Sequence, residues 1–184
     1  MGQERSEGTP FFEVGNATYR RGVRHSLREE TDKFRINRKG VDMEFKPAGE
    51  IIGIAHQVRT VGLKDGPQLP DGYYTFVDFY CTKASCDCRR TLIQVLLNGT
   101  HVSTIGFGWE SPEFYKKWMG AKSDDDYMPQ MHGATVDFTS PDKVSPQGML
   151  AFFNALLDEK WIAVFKYNYD AVKAQLANNR KTKK

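Results

Sequence analysis

The chain predicts an α+β domain: a mostly antiparallel sheet, three helices packed on it, and a small structural metal site. Three observations carry this reading. Two aromatic and β-branched runs flank a cysteine-bearing turn, and a third run follows an Asn-Gly hairpin signal. Two Ser-Pro pairs each open a stretch with apolar residues at helical spacing. All three cysteines, Cys81, Cys86 and Cys88, fall within eight residues of a 184-residue chain.

The composition suits one domain. Hydrophobic residues make up 40% of the chain and aromatic residues 12%, enough for a sizeable core. The opening MGQERSEG lacks the apolar run of a secretory signal, and no apolar run has spanning length. The expectation is a cytoplasmic protein with no membrane partner. Met1-Gly2 with Ser6 fits a myristoylation pattern, but no second lipid-anchor signal accompanies it.

The elements follow in order. Residues 1–30 are polar and broken by Gly8, Pro10, Gly15 and Gly22, which predicts a flexible or loosely packed arm. Residues 31–177 form the single domain, and 178–184 a basic tail. Phe34 to Phe45, with a turn at Asn37 to Gly40, predicts a short hairpin. Ile51 to Val61 predicts a strand, and the Gly- and Pro-rich 62–72 a surface loop. In YYTFVDFY, from Tyr73 to Tyr80, the set Tyr73, Thr75, Val77 and Phe79 is expected to face the core. Thr91 to Leu97, the Asn98-Gly99 turn and His101 to Phe107 complete three adjacent antiparallel strands.

Ser111-Pro112 then opens a helix ending near Gly120, and Ala134 to Phe138 predicts a short strand. Ser145-Pro146 opens a second helix carrying Met149, Leu150, Phe153, Leu156 and Leu157. A third helix, from about Trp161 to Leu176, carries Val164, Phe165, Tyr169 and Val172.

The cysteines point to zinc. Their odd number and close spacing argue against a disulfide scaffold and for reduced thiols. A C-x4-C turn returns Cys86 towards Cys81. On an extended segment Cys86 and Cys88 share a side, with Cα atoms about 6 to 7 Å apart. Zinc takes thiolates at about 2.3 Å and prefers four ligands. His101, on the hairpin strand, is the first choice for the fourth, followed by His132; His25, His56 and Asp87 are the other candidates. The competing readings are reactive thiols beside Arg89 and Arg90, or cysteines that only fill space in the core.

The stretch Tyr80-Cys81, a short loop, then Cys86-Asp87-Cys88-Arg89-Arg90 resembles a motif of uncharacterised bacterial proteins of similar size. In those proteins the motif lies between two strands. The resemblance is confined to this stretch. It implies a soluble bacterial protein and a defined role for the Cys-Asp-Cys unit, and it implies no reaction.

Other patterns carry less. Asp124, Asp125 and Asp126, with Asp137, lack calcium-loop spacing and read as a hydrated loop. A metal-dependent hydrolase would need an open metal position with a base such as Glu110, or His132, beside it, but three thiolates blunt Lewis acidity. No phosphate-loop or dinucleotide motif occurs. Gly106-Phe107-Gly108-Trp109 suggests a bend or an aromatic ring against backbone.

A nucleic-acid-associated protein would use the basic residues between Arg20 and Lys39, Arg89-Arg90 and the tail, with Tyr73, Tyr74 and Phe76 stacking. A net charge of +3 gives that reading little support, because the same clusters serve as a solvated surface. The expected role is a binding or adaptor protein with a structural zinc, its partner another protein or a small molecule.

Overall fold

The computed structural model describes residues 12–18, 35–38, 41–52, 57–123, 128–141 and 143–181. Its centre is an antiparallel sheet with the order β1-β4-β5-β6-β7-β8. The strands are β1 (Phe12–Thr18), β2 (Arg35–Arg38), β3 (Val41–Pro47), β4 (Gln57–Leu63), β5 (Gly72–Cys81), β6 (Arg90–Leu97), β7 (Thr100–Gly108) and β8 (Gly133–Val136). The helices are α1 (Ala48–Ile52), α2 (Pro112–Met119), α3 (Pro146–Leu156) and α4 (Glu159–Lys181).

The long middle strands form where the sequence concentrates β-branched and aromatic residues. β5, β6 and β7 pair in succession, and Asn98 (φ 48°) with Gly99 (φ 85°) makes the turn between the last two. Left-handed backbone at both central residues matches the twist of the flanking strands, which explains the Asn-Gly pair. One edge of β5 is divided. Its first half pairs with β4, from Leu63↔Gly72 to Arg59↔Phe76, and its last residues pair with β3, ending at Phe45↔Cys81.

Several expectations change here. Phe12–Thr18, placed in a loose arm, pairs along its whole length with β4. Ile51 and Ile52 belong to α1 and not to a strand. Pro47 ends β3, and a short helix then packs both isoleucines against the buried cluster that includes Phe45 and Phe79. The predicted hairpin between Phe34 and Phe45 is present as β2 and β3. α4 is longer than predicted at both ends, and its start is fixed by Asp158 Oδ1 accepting the Trp161 N–H at 2.7 Å.

From Phe76 to Cys81 both faces of β5 are buried, which corrects the expectation of a single core face. Tyr74, Phe76, Asp78 and Tyr80 turn towards α3 and α4: Phe76 meets Phe152, Phe153 and Trp161, and Tyr80 donates to the Phe165 carbonyl. Val77 and Phe79, on the other face, are buried with Val58, Leu92 and Leu96. The expected core face is buried at Val77 and Phe79 but not at Tyr73, which is 61% exposed; the opposite face looked less apolar because it carries Asp78. Asp78 is nevertheless 5% exposed, and its Oδ2 accepts from Tyr80 Oη at 2.6 Å and Asn168 Nδ2 at 3.0 Å. A buried carboxylate needs such partners.

α2 begins as its Ser-Pro pair predicts: Ser111 Oγ accepts the Phe114 N–H, and Gly120 ends the helix in the left-handed region. Tyr115 in this helix is fully buried and reaches back to the start of β6, donating to the Arg89 carbonyl at 2.7 Å. Gly108 makes room for it. A Cβ at that position would lie 2.6 Å from the Tyr115 oxygen and would also meet the Met131 carbonyl. The aromatic ring against glycine backbone is the alternative the sequence raised for this segment.

Candidate metal centre

The cysteine site forms where β5 ends and β6 begins. Cys81 is the last residue of β5, and Thr82 N–H still bonds the Glu44 carbonyl at 2.8 Å, so the strand is held to its limit. The chain then turns, with Cys86 N–H donating to the Lys83 carbonyl at 3.0 Å. Arg89 takes a left-handed conformation (φ 44°), costly for a residue with a Cβ, and Tyr115 holds its carbonyl there. That reversal lets Cys88 point inward while Arg89 points out.

The turn brings the three sulfur atoms within 4.8 Å of one another. Three sulfurs at about 2.3 Å from a tetrahedral zinc stand about 3.8 Å apart. The observed cluster therefore needs only a small contraction. Cys81 and Cys88 are buried, at 0% and 1% exposure, and Cys86 is partly open. Among the described residues this is the only group of three or more His, Cys, Asp or Glu side chains able to hold a metal ion.

The sulfurs already share charge. The Cys81 thiol is held far below its usual range, first by S–H bonds from Cys86 and Cys88, with help from Lys173 and the Lys83 N–H. Cys86 and Cys88 are pushed up, chiefly because each shares its proton with Cys81. The three titrate as a set: the first proton leaves readily and the others are retained. A cation of soft preference would collect all three sulfurs as thiolates.

α4 closes the site. Lys173 Nζ donates to the carbonyls of Cys81 and Lys83, each at 3.0 Å, and lies 5.2 Å from the Tyr169 ring centre. Tyr169 Oη contacts the Cys86 carbonyl at 3.3 Å and Asp87 Oδ1 at 3.2 Å. Tyr80 and Trp109 pack edge-on against the same ring. Val172 is fully buried in the same apolar cluster as Tyr80, Cys81 and Cys88. Neither Lys173 nor Tyr169 was identified as part of the site from sequence. Tyr169 lies on the apolar stripe of a helix 80 or more residues away in the chain, and Lys173 is a charged residue beside that stripe with no signal of its own.

His101 does not join the cysteines. It pairs with Leu96 at the hairpin end of β6, six residues from Arg90, roughly 20 Å at the rise of a strand. Its Nε2 is engaged with the Ser103 carbonyl at 3.1 Å and Thr104 Oγ1 at 3.0 Å. Proximity in sequence misled because an antiparallel hairpin carries the chain to the far end before returning. His132 is exposed, and its Nδ1 donates to the Glu110 carbonyl at 2.7 Å. His25 and His56 lie outside the described residues, as do Asp124, Asp125 and Asp126. Asp137 accepts from the backbone N–H and hydroxyl of Thr139.

Asp87 and Glu110 both pair with Arg89, at 3.0 and 3.2 Å, and Arg89 also lies over the Phe114 ring. Arg90 reaches the other way, donating to Met131 Sδ and to the Gln130 carbonyl. The two arginines therefore diverge and do not form one positive face. An open cleft of about 310 Å³ beside the cysteine loop is lined by Asp87, Arg89, Trp109, Glu110 and Tyr169, among others. No helix among the described residues is long and apolar enough to cross a membrane. The chain matches no protein-family model, no curated protein and no solved structure.

Proposed function

We propose that Cys81, Cys86 and Cys88 hold a structural zinc ion, and that the protein is a metal-stabilised binding or adaptor protein. The observation that carries this is the convergence of three sulfurs, two of them in the interior, at the joint of β5, β6 and α4. Zinc is favoured by the donor set, because an all-sulfur group selects a soft or borderline cation over magnesium or calcium. When bound, the ion would crosslink the end of β5 to the start of β6, adding its binding free energy to folding. Three thiolates donate enough charge to weaken a metal as a Lewis acid, which favours a structural over a hydrolytic role.

Metal analysis of protein purified without chelator tests this. The expected result is about one zinc per chain, with a melting temperature that falls on chelation and recovers on adding zinc. Cys86→Ser should reduce the zinc content sharply. A wild-type protein that lacks zinc, and whose melting temperature zinc does not change, would overturn the proposal.

A further inference from the structure

We propose that the cysteine centre is also a peroxide-sensitive switch, in which a Cys81–Cys86 disulfide forms and the metal is expelled. The inference rests on the zinc reading for its second half only, since the sulfur geometry is independent of any ion.

Cys86 is the one cysteine of the three with an appreciable opening to solvent. Cys81 and Cys88 are buried, so of the three Cys86 is the one a small neutral oxidant can approach from solvent. Its sulfur lies within 4.8 Å of Cys81, across a turn already closed by the Cys86 N–H to Lys83 carbonyl bond. Cys86 and Cys88 are separated by one residue, a spacing at which a disulfide is strained. Cys81 is therefore the partner, and Cys88 stays reduced in the interior.

The chemistry balances with hydrogen peroxide as oxidant. The Cys86 sulfur attacks one peroxide oxygen; the S–O bond forms, the O–O bond breaks, and the departing hydroxide is protonated to water. The Cys81 thiolate then attacks the Cys86 sulfur; the S–S bond forms, the S–O bond breaks, and a second water leaves. From the metal-held state, two thiolates, one peroxide and two protons give one disulfide and two waters; where Cys86 enters as a thiol, its own proton replaces one of the two. Two of the three sulfur ligands are lost, and the metal departs. Tyr169 and Lys173 bond the carbonyls of Cys86, Cys81 and Lys83, so a change in this loop reaches α4 directly.

Lys83 lies between Cys81 and Cys86, which makes the test direct. Full-length protein is treated with stoichiometric hydrogen peroxide, released metal is measured with a chromogenic chelator, and free thiols are alkylated before tryptic digestion. Cleavage after Lys83 puts Cys81 on one peptide, and Cys86 with Cys88 on the next. The expected result is release of one equivalent of zinc, a cross-linked peptide pair whose fragmentation shows Cys86 as the bridged residue, and alkylated Cys88. Thiol reductant with zinc should reverse all three.

Untreated protein without metal would sink the zinc reading, while the peptide pair would still decide the disulfide. Metal-loaded protein that keeps its zinc and alkylates at all three cysteines would overturn the switch. So would a Cys86–Cys88 bridge, which leaves the two peptides unlinked. Cys88→Ser keeps both reacting thiols and should still yield the linked pair; its failure to do so in folded protein would also overturn the assignment.

Discussion

Lys173 and Lys83 stand 90 residues apart in the chain, yet the ammonium of one meets the carbonyl of the other and that of Cys81. A cation beside a thiolate group stabilises its charge, and outer contacts of this kind commonly tune metal affinity by roughly 10- to 100-fold. Lys173→Met should therefore weaken zinc binding by about that factor while leaving far-UV circular dichroism unchanged. His101→Ala should leave zinc content untouched. Equal zinc affinity in Lys173→Met and wild type would show that the lysine only packs, and loss of zinc in His101→Ala would restore that histidine as a ligand. At this scale the sequence was readable only in part. Three clustered cysteines announce themselves through spacing, whereas Lys173 and Tyr169 reach the site by tertiary packing, which no local pattern encodes.

The elements were easier to read, because each carries its own start or stop signal. Ser111 and Ser145 cap α2 and α3 through the N–H groups of Phe114 and Gly148. Asn98-Gly99 fixes the β6–β7 hairpin through two left-handed residues. A side chain at Gly99 meets no neighbour, so any cost of adding one comes from its backbone angle alone. Gly99→Ala should lower stability by about 1–2 kcal/mol, read by urea unfolding with an unchanged m-value. An unaffected midpoint would mean that the turn does not set the register. What the elements did not reveal is where the isoleucines at 51 and 52 belong. Apolar runs this short suit a strand or a helix equally, and Pro47 decides the matter by ending β3 just before them.

At the scale of the whole molecule, the burial of residues on both faces of the central strands was the least legible feature. Alternation along β5 suggests one wet face, but from Phe76 onward both are buried, one against the aromatic side chains of α3 and α4. The result is a core rich in buried phenols. Burial raises the Tyr74 hydroxyl to about 12, with Asp71 adding to the effect, and burial likewise raises Tyr115 to about 12. Both values exceed that of an unfolded tyrosine, near 10. Folding then retains protons that the unfolded chain releases, so the contribution is whole below pH 10 and is lost as pH rises towards 12. Each tyrosine should steepen the alkaline fall in stability by about 1.4 kcal/mol per pH unit over that window. Urea midpoints at pH 9 and pH 11 measure it, with Tyr74→Phe removing its share of the slope. A Tyr74→Phe slope equal to the wild type's would contradict the assignment.

The centre that joins these scales is the trio of sulfurs where β5, β6 and α4 meet, and X-ray absorption at the zinc edge of the purified protein examines it most directly. The expected result is three sulfur neighbours at about 2.3 Å and one lighter atom closer in. A shell of nitrogen and oxygen alone, or one with fewer than three sulfurs, would contradict it.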